Sequence, residues 1–213
     1  MQNIFFAAFD TSTVLLANLF DCVSRRADVH ERLKAELVDV AGAEDTISDT
    51  RVAHLSYLRC TILEALRLHS TITYHTRKAR VDTWLPQGAM DVDGKRHLLR
   101  VRKGTSVTWS TYALNRSAEL SGGHAEDFFR PERWLRTAPD GEAQHLRQDS
   151  FLPFGSGPRN CLAQQFALLL MSYIAARVLM TFEKCELQNP DKSFQEAAAV
   201  THYNGRGTYI KFS

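Results

Sequence analysis

Residues 151 to 170 read FLPFGSGPRNCLAQQFALLL, a loop with Gly155, Gly157 and Pro158 that runs into an uninterrupted apolar helix, with one cysteine at the junction. Paired glycines and a proline impose irregular backbone, and the apolar run beyond them predicts a helix from Cys161 to about Glu183. The unpaired N–H groups and the dipole of a helix start stabilise a thiolate over a thiol, which makes Cys161 a candidate metal ligand. Its neighbours strengthen that expectation. Arg159 is an anion binder two residues earlier, Phe154 offers a flat apolar wall, and Gly157 permits close backbone approach.

The remaining chain has the balance of an ordinary folded protein, with 44% hydrophobic and 23% charged residues in 213, enough for one sizeable core and one domain. Residues 4 to 20 read as a buried helix. DVHERLKAELVDVAG reads as a surface helix, with Asp28 and Glu31 at capping-box spacing and Gly42 closing it. In LSYLRCTILEALRLH, Leu55, Leu58, Ile62 and Leu66 recur at three and four residues and make one apolar stripe of a third helix. From Arg77 to about Leu114 the pattern changes to short β-like runs, with Asp93-Gly94 as a turn signal. THYNGRGTYIKF reads as a terminal hairpin turning at Asn204-Gly205. The expected class is mainly α with a small β portion.

Charge and cysteine usage narrow the function classes. Twenty-six basic against 24 acidic residues leave a formal net charge of +2, too balanced for a nucleic-acid partner or a polybasic membrane anchor. Cys22, Cys60, Cys161 and Cys185 are scattered with no CxxC pair, so neither a zinc site nor a disulfide framework is signalled, and a reducing, cytosol-facing context fits. The stretch NIFFAAFDTSTVLLANLF carries Asp10 and several hydroxyls and is too interrupted to cross a bilayer. Met1 falls almost directly onto that run, and the expectation is that preceding sequence is missing.

FGSGPRNCLA resembles the haem-binding signature of the haem-thiolate monooxygenases, the cytochrome P450 superfamily, at Phe154, Gly157, Arg159 and Cys161; Ala163 stands where glycine is usual. The resemblance implies haem b (iron protoporphyrin IX) as cofactor, Cys161 as its axial iron ligand, and Phe154, Gly157 and Arg159 as cofactor-binding residues. Glu64 and Arg67 resemble the family's glutamate-x-x-arginine pair, with Arg133 of FRPERW as third member, a scaffold that locks the cysteine loop against the helical core. AAFDTS resembles the oxygen-activation segment, which implies that Thr11 holds water and dioxygen while Asp10 relays protons inward. HSTITYHTRKAR aligns Arg77 with a haem-propionate arginine, although Ser70 and Thr73 replace the usual prolines. Ile72, Thr73, Tyr74, Phe5, Ala8 and residues 204–207 fall where the family lines its substrate pocket.

By this resemblance, residues 1–213 are the C-terminal portion of a single such domain, from the oxygen-binding helix to the terminal hairpin, with the N-terminal portion absent. The implied activity is hydroxylation of an apolar substrate with dioxygen and electrons from an NADPH-dependent reductase. YLRCTILEALRLH, FRPERW and GPRNCLAQQFALL look most like fungal members that hydroxylate alkanes and fatty acids at the chain end. The implied location is the cytosolic face of the endoplasmic reticulum membrane, through an anchor outside this chain. Two other readings compete. Isomerase or dehydratase-type members abandon oxygen activation and commonly lose the alcohol that Thr11 retains. A truncated, catalytically incompetent fragment is suggested by Met1, and such a fragment is expected to aggregate and to hold haem poorly.

Overall fold

The computed structural model describes residues 2–42, 47–117, 129–135, 151–188 and 193–213. In chain order these form α1 (Gln2–Ser24), α2 (Ala27–Ala41), the single turn α3 (Asp49–Val52), α4 (Ser56–Leu68), β1 (Tyr74–Lys78), β2 (Thr83–Met90), β3 (Arg96–Val101), β4 (Ser106–Ser110), α5 (Thr111–Asn115), α6 (Gln164–Thr181), β5 (Cys185–Leu187), β6 (Glu196–Ala198), β7 (His202–Asn204) and β8 (Ile210–Phe212). Short 3-10 helices occupy Pro131–Trp134 and Gly157–Arg159. The class is mainly α with a small β portion. The chain divides into two compact units, a helical one (Met1–Thr73 with Thr111–Ser213) and a strand unit (Tyr74–Ser110).

Helical spacing selects the core of the first unit. Leu15, Leu19 and Val23 of α1, Val29, Leu33 and Leu37 of α2, and Leu168, Met171, Ala175 and Leu179 of α6 repeat at three or four residues, and all are buried. The stripe Leu55, Leu58, Ile62 and Leu66 is buried as its spacing predicts. α2 also secures the ends of its neighbours. α4 starts without a capping side chain of its own, and Glu36 supplies one, accepting from the Tyr57 and Leu58 N–H groups at 2.7 and 2.9 Å. Lys34 donates to the Leu179 and Phe182 carbonyls at 2.8 and 3.1 Å, where α6 ends. α6 is long and apolar enough to cross a membrane by length and composition, but its buried residues belong to this core.

Several expectations are corrected. α1 is not buried throughout: Ala7, Ala8, Phe9 and Asp10 are exposed, and burial begins near Leu15. The capping box fails because Asp28 lies inside α2 and pairs with the Arg26 guanidinium at 2.6 Å, so the N-cap position falls to Arg26, whose side chain makes no capping bond to the helix backbone. Gly42 does close α2, at φ +65°. α6 begins at Gln164, not at Cys161. The terminal hairpin is not one ladder: β7 pairs with β6, and β8 pairs with β5. The Asn204 carbonyl and the Gly207 N–H do make a turn at 2.9 Å.

In the strand unit β1 pairs antiparallel with β4, and β2 with β3. The second pair turns as predicted, with Gly94 at φ +79° and its N–H on the Asp91 carbonyl at 3.1 Å. The β-like stretch ends at Ser110 and not at Leu114, because Thr111–Asn115 winds into α5.

Candidate functional site

Gly155 and Gly157 adopt φ values of +70° and +69°, which only glycine takes at little cost, and they bend the chain so that the Cys161 N–H reaches the Phe154 carbonyl at 2.8 Å. A Cβ added at Gly157 meets nothing within 4 Å, so the backbone angle alone calls for glycine there. The loop is thereby closed on itself, with Cys161 as an exposed free thiol. Its N–H is spent within the loop and α6 starts three residues later, so Cys161 does not sit at the helix start that the sequence implies.

A buried carboxylate anchors this loop from behind. Glu64 on α4 accepts from Arg67 Nη2 and Nε at 2.9 and 3.0 Å, from Arg133 Nε at 3.0 Å, from Trp134 Nε1 at 2.9 Å and from the Arg130 N–H at 3.0 Å. The Glu64 and Arg67 side chains are fully buried and that of Arg133 nearly so. Burial lowers the Arg133 guanidinium below its usual range, against the pull of Glu64. Arg67 Nη1 also donates to the Asn115 carbonyl at 3.3 Å. The Trp134 ring then packs against Phe151 with centroids 4.5 Å apart, at the entrance to the cysteine loop. One residue therefore joins the charge cluster to the loop. Trp134 adjoins the cysteine-loop scaffold residue Arg133 in FRPERW, and that adjacency is the signal that could have identified it.

On α1, Thr11 Oγ1 donates to the Ala7 carbonyl at 2.6 Å. Its hydrogen is committed, and its lone pairs remain to accept from a donor outside the helix. Asp10 is exposed, not buried as the mid-helix position suggested, and accepts from Thr201 Oγ1 at 2.9 Å. A groove of about 430 Å³ runs beside Asp10, with Asp10, Val14 and Ala17 on one side and Val200, Tyr203 and Asn204 on the other; Thr11 is not in its wall. Asn204 and Gly207 line this groove. Ala8 is exposed, while the side chain of Phe5 lies outside the described residues. The Ile72 and Thr73 carbonyls bind the Thr111 hydroxyl and N–H at 2.6 and 2.9 Å, which is a structural use.

Within the strand unit, Arg77 Nη1 donates to the Thr76 carbonyl at 3.0 Å, and its guanidinium lies 5.4 Å from the Trp109 ring centroid. Tyr74 is exposed. Arg159 is exposed on the cysteine loop.

The donor set suits a flat, apolar, iron-centred group. The exposed thiol of Cys161 is flanked by half-buried Phe154 and by exposed Leu162, and Phe166, Leu169 and Tyr173 present an exposed apolar stripe along α6. Thiol reactivity checks this placement. Cys22 is buried and its thiol pushed up by desolvation, while burial pushes Cys60 and Cys185 up to about 11. Iodoacetamide at neutral pH is therefore expected to alkylate Cys161 first, as read by peptide mass spectrometry. Equal early labelling of Cys60 would contradict the placement.

The family model for cytochrome P450 matches residues 1–206. Cytochrome P450 monooxygenase FPY7 of Fusarium mangiferae is 35% identical over 100% of this chain and 38% of its own length. Cytochrome P450 52A13 of Debaryomyces hansenii is 35% identical over 100% of the chain and 40% of its own length. Cytochrome P450 52A10 of Candida maltosa is 36% identical, over 99% and 40% respectively. The chain spans about two-fifths of the length of these relatives.

Proposed function

The chain belongs to the cytochrome P450 family, and from that membership we propose that it is the C-terminal portion of a haem-dependent monooxygenase domain. The observation that carries this reading is the exposed Cys161 thiol, on a loop closed by its own N–H and anchored through Trp134 to the buried Glu64 cluster. Cys161 would bind the iron of haem b, with Phe154 against the ring, Gly157 shaping the loop and Arg159 pairing with a propionate, a role that the family resemblance, and not the structure, also gives Arg77. When bound, the haem supplies the activation of dioxygen for insertion of one oxygen atom into a C–H bond.

The protein's own part is to deliver protons and to hold the substrate. Thr11, with its hydrogen on the Ala7 carbonyl, accepts a hydrogen bond and so orients a water beside α1. Asp10, exposed at the groove and bonded to Thr201, is placed to exchange protons with solvent. The groove's Val14, Ala17, Val200 and Tyr203 favour an apolar substrate. The resemblance of YLRCTILEALRLH, FRPERW and GPRNCLAQQFALL to fungal members that hydroxylate chain ends supports an alkane or fatty acid. Electrons would come from an NADPH-dependent reductase, with the protein at the cytosolic face of the endoplasmic reticulum.

Thr11→Ala is expected to keep reductant consumption but to divert it to peroxide, with product formation down by about 10²–10⁴-fold. Thr11→Ser, which keeps the acceptor oxygen, should restore most coupling. The measurement is product formed per NADPH consumed, on the haem-containing protein with its reductase. Equal coupling in wild type and Thr11→Ala would reduce Thr11 to a helix-bonding residue.

A further inference from the structure

A second cluster of ligating groups lies apart from the cysteine loop. His69 follows α4, and Glu196 and His202 sit on β6 and β7; one ring nitrogen of each histidine and one carboxylate oxygen lie within 4.8 Å of one another. We propose that these three residues form a binding site for a divalent cation of the zinc class, which clamps the β6–β7 hairpin to the end of α4.

The backbone holds the three side chains together. Glu196 pairs in register with Asn204, so Glu196 and His202, two residues before Asn204, are diagonal neighbours on one face of the ladder. The His202 N–H donates to the Thr71 carbonyl at 3.0 Å, which brings β7 alongside the segment two residues after His69. The two imidazoles stack with centroids 6.2 Å apart, and Phe194 covers His69 at 4.0 Å. Both histidines are buried; among the described residues His69 Nδ1 has no hydrogen-bond partner, while His202 meets Glu196 through Nε2. Buried imidazole nitrogens without partners are costly unless something binds them.

The carboxylate is oriented in the manner of a metal ligand. Oε2 of Glu196 faces His202 Nε2 in a hydrogen bond, and a cation takes the place of the proton they share. Oε1 is held on the far side by the Tyr112 hydroxyl at 2.9 Å and by Arg116 Nη2 at 3.4 Å. Such outer hydrogen bonds fix ligating carboxylates. Tetrahedral zinc with ligands at 2.0–2.2 Å needs donor atoms about 3.3 Å apart, so the widest separation closes by at most about 1.5 Å while the Glu196–His202 contact opens, and Glu196 is exposed enough to move. Two imidazoles and one carboxylate suit zinc over magnesium or calcium. A cavity of about 400 Å³ has His69 and Glu196 in its wall and gives water access to a fourth position.

The test is calorimetric titration of the protein with zinc chloride, together with the zinc K-edge X-ray absorption spectrum, which separates nitrogen and oxygen from sulfur neighbours in the presence of haem. One zinc per chain is expected, with imidazole scattering and no sulfur shell. Glu196→Gln, at an exposed position, should weaken that binding by more than about 10-fold, and Tyr112→Phe by about 10-fold. Unchanged affinity in Glu196→Gln, no binding by the wild type, or a sulfur shell showing zinc on a cysteine would each overturn the proposal.

Discussion

Glu64→Ala is expected to cost about 3–5 kcal/mol of folding stability, because it removes the carboxylate that two buried guanidiniums share. Arg67 and Arg133 are almost wholly buried and share the one carboxylate, which also accepts from Trp134 and from the Arg130 backbone. Water cannot replace the lost charge at sites this closed. Against a typical stability of about 5–15 kcal/mol, the variant should unfold at much lower urea or resist purification. Trp134→Phe supplies a graded comparison. It keeps a ring against Phe151 but removes the bond to Glu64 Oε2, a hydrogen bond to a charged group worth about 1.5–3 kcal/mol. Urea denaturation of the three proteins gives the order wild type, Trp134→Phe, Glu64→Ala. A Glu64→Ala loss below about 1 kcal/mol would show that the cluster does not hold the loop.

The helical core was legible wherever one period controlled burial. Leu55, Leu58, Ile62 and Leu66 needed only their spacing, because α4 is packed along one stripe. Glu64, Arg67 and Arg133 were found through a family resemblance, and the structure brings them within hydrogen-bond distance. Local chemistry misled where a distant partner won. Asn204-Gly205 carries a hairpin signal, yet β7 and β8 take different partners, β6 and β5. Asp28 has capping-box spacing but prefers the guanidinium of Arg26 two residues back. The α6 start slipped from Cys161 to Gln164 because the cysteine N–H serves the Phe154 carbonyl. The His69, Glu196 and His202 cluster leaves no trace in spacing, since the first two lie 127 positions apart and only the fold joins them.

Cys161→Ser should remove thiolate ligation altogether while leaving the loop in place. Serine keeps nearly the same size and the same N–H for the Phe154 carbonyl, so the closed turn from 154 to 161 has no reason to open. What changes is the ligand atom. A cysteine sulfur ionises near neutral pH when a metal is present and binds iron as a soft anion, whereas a serine hydroxyl stays protonated and is a poor ligand. Haem iron held by thiolate gains electron density that a serine hydroxyl would not supply, and reduced iron with carbon monoxide reports it as a red-shifted Soret band. The deciding measurement is that difference spectrum, recorded on the haem-containing protein and on Cys161→Ser. A red-shifted band in the wild type that vanishes in the variant is the predicted result, and a band retained by Cys161→Ser would contradict Cys161 as the iron ligand.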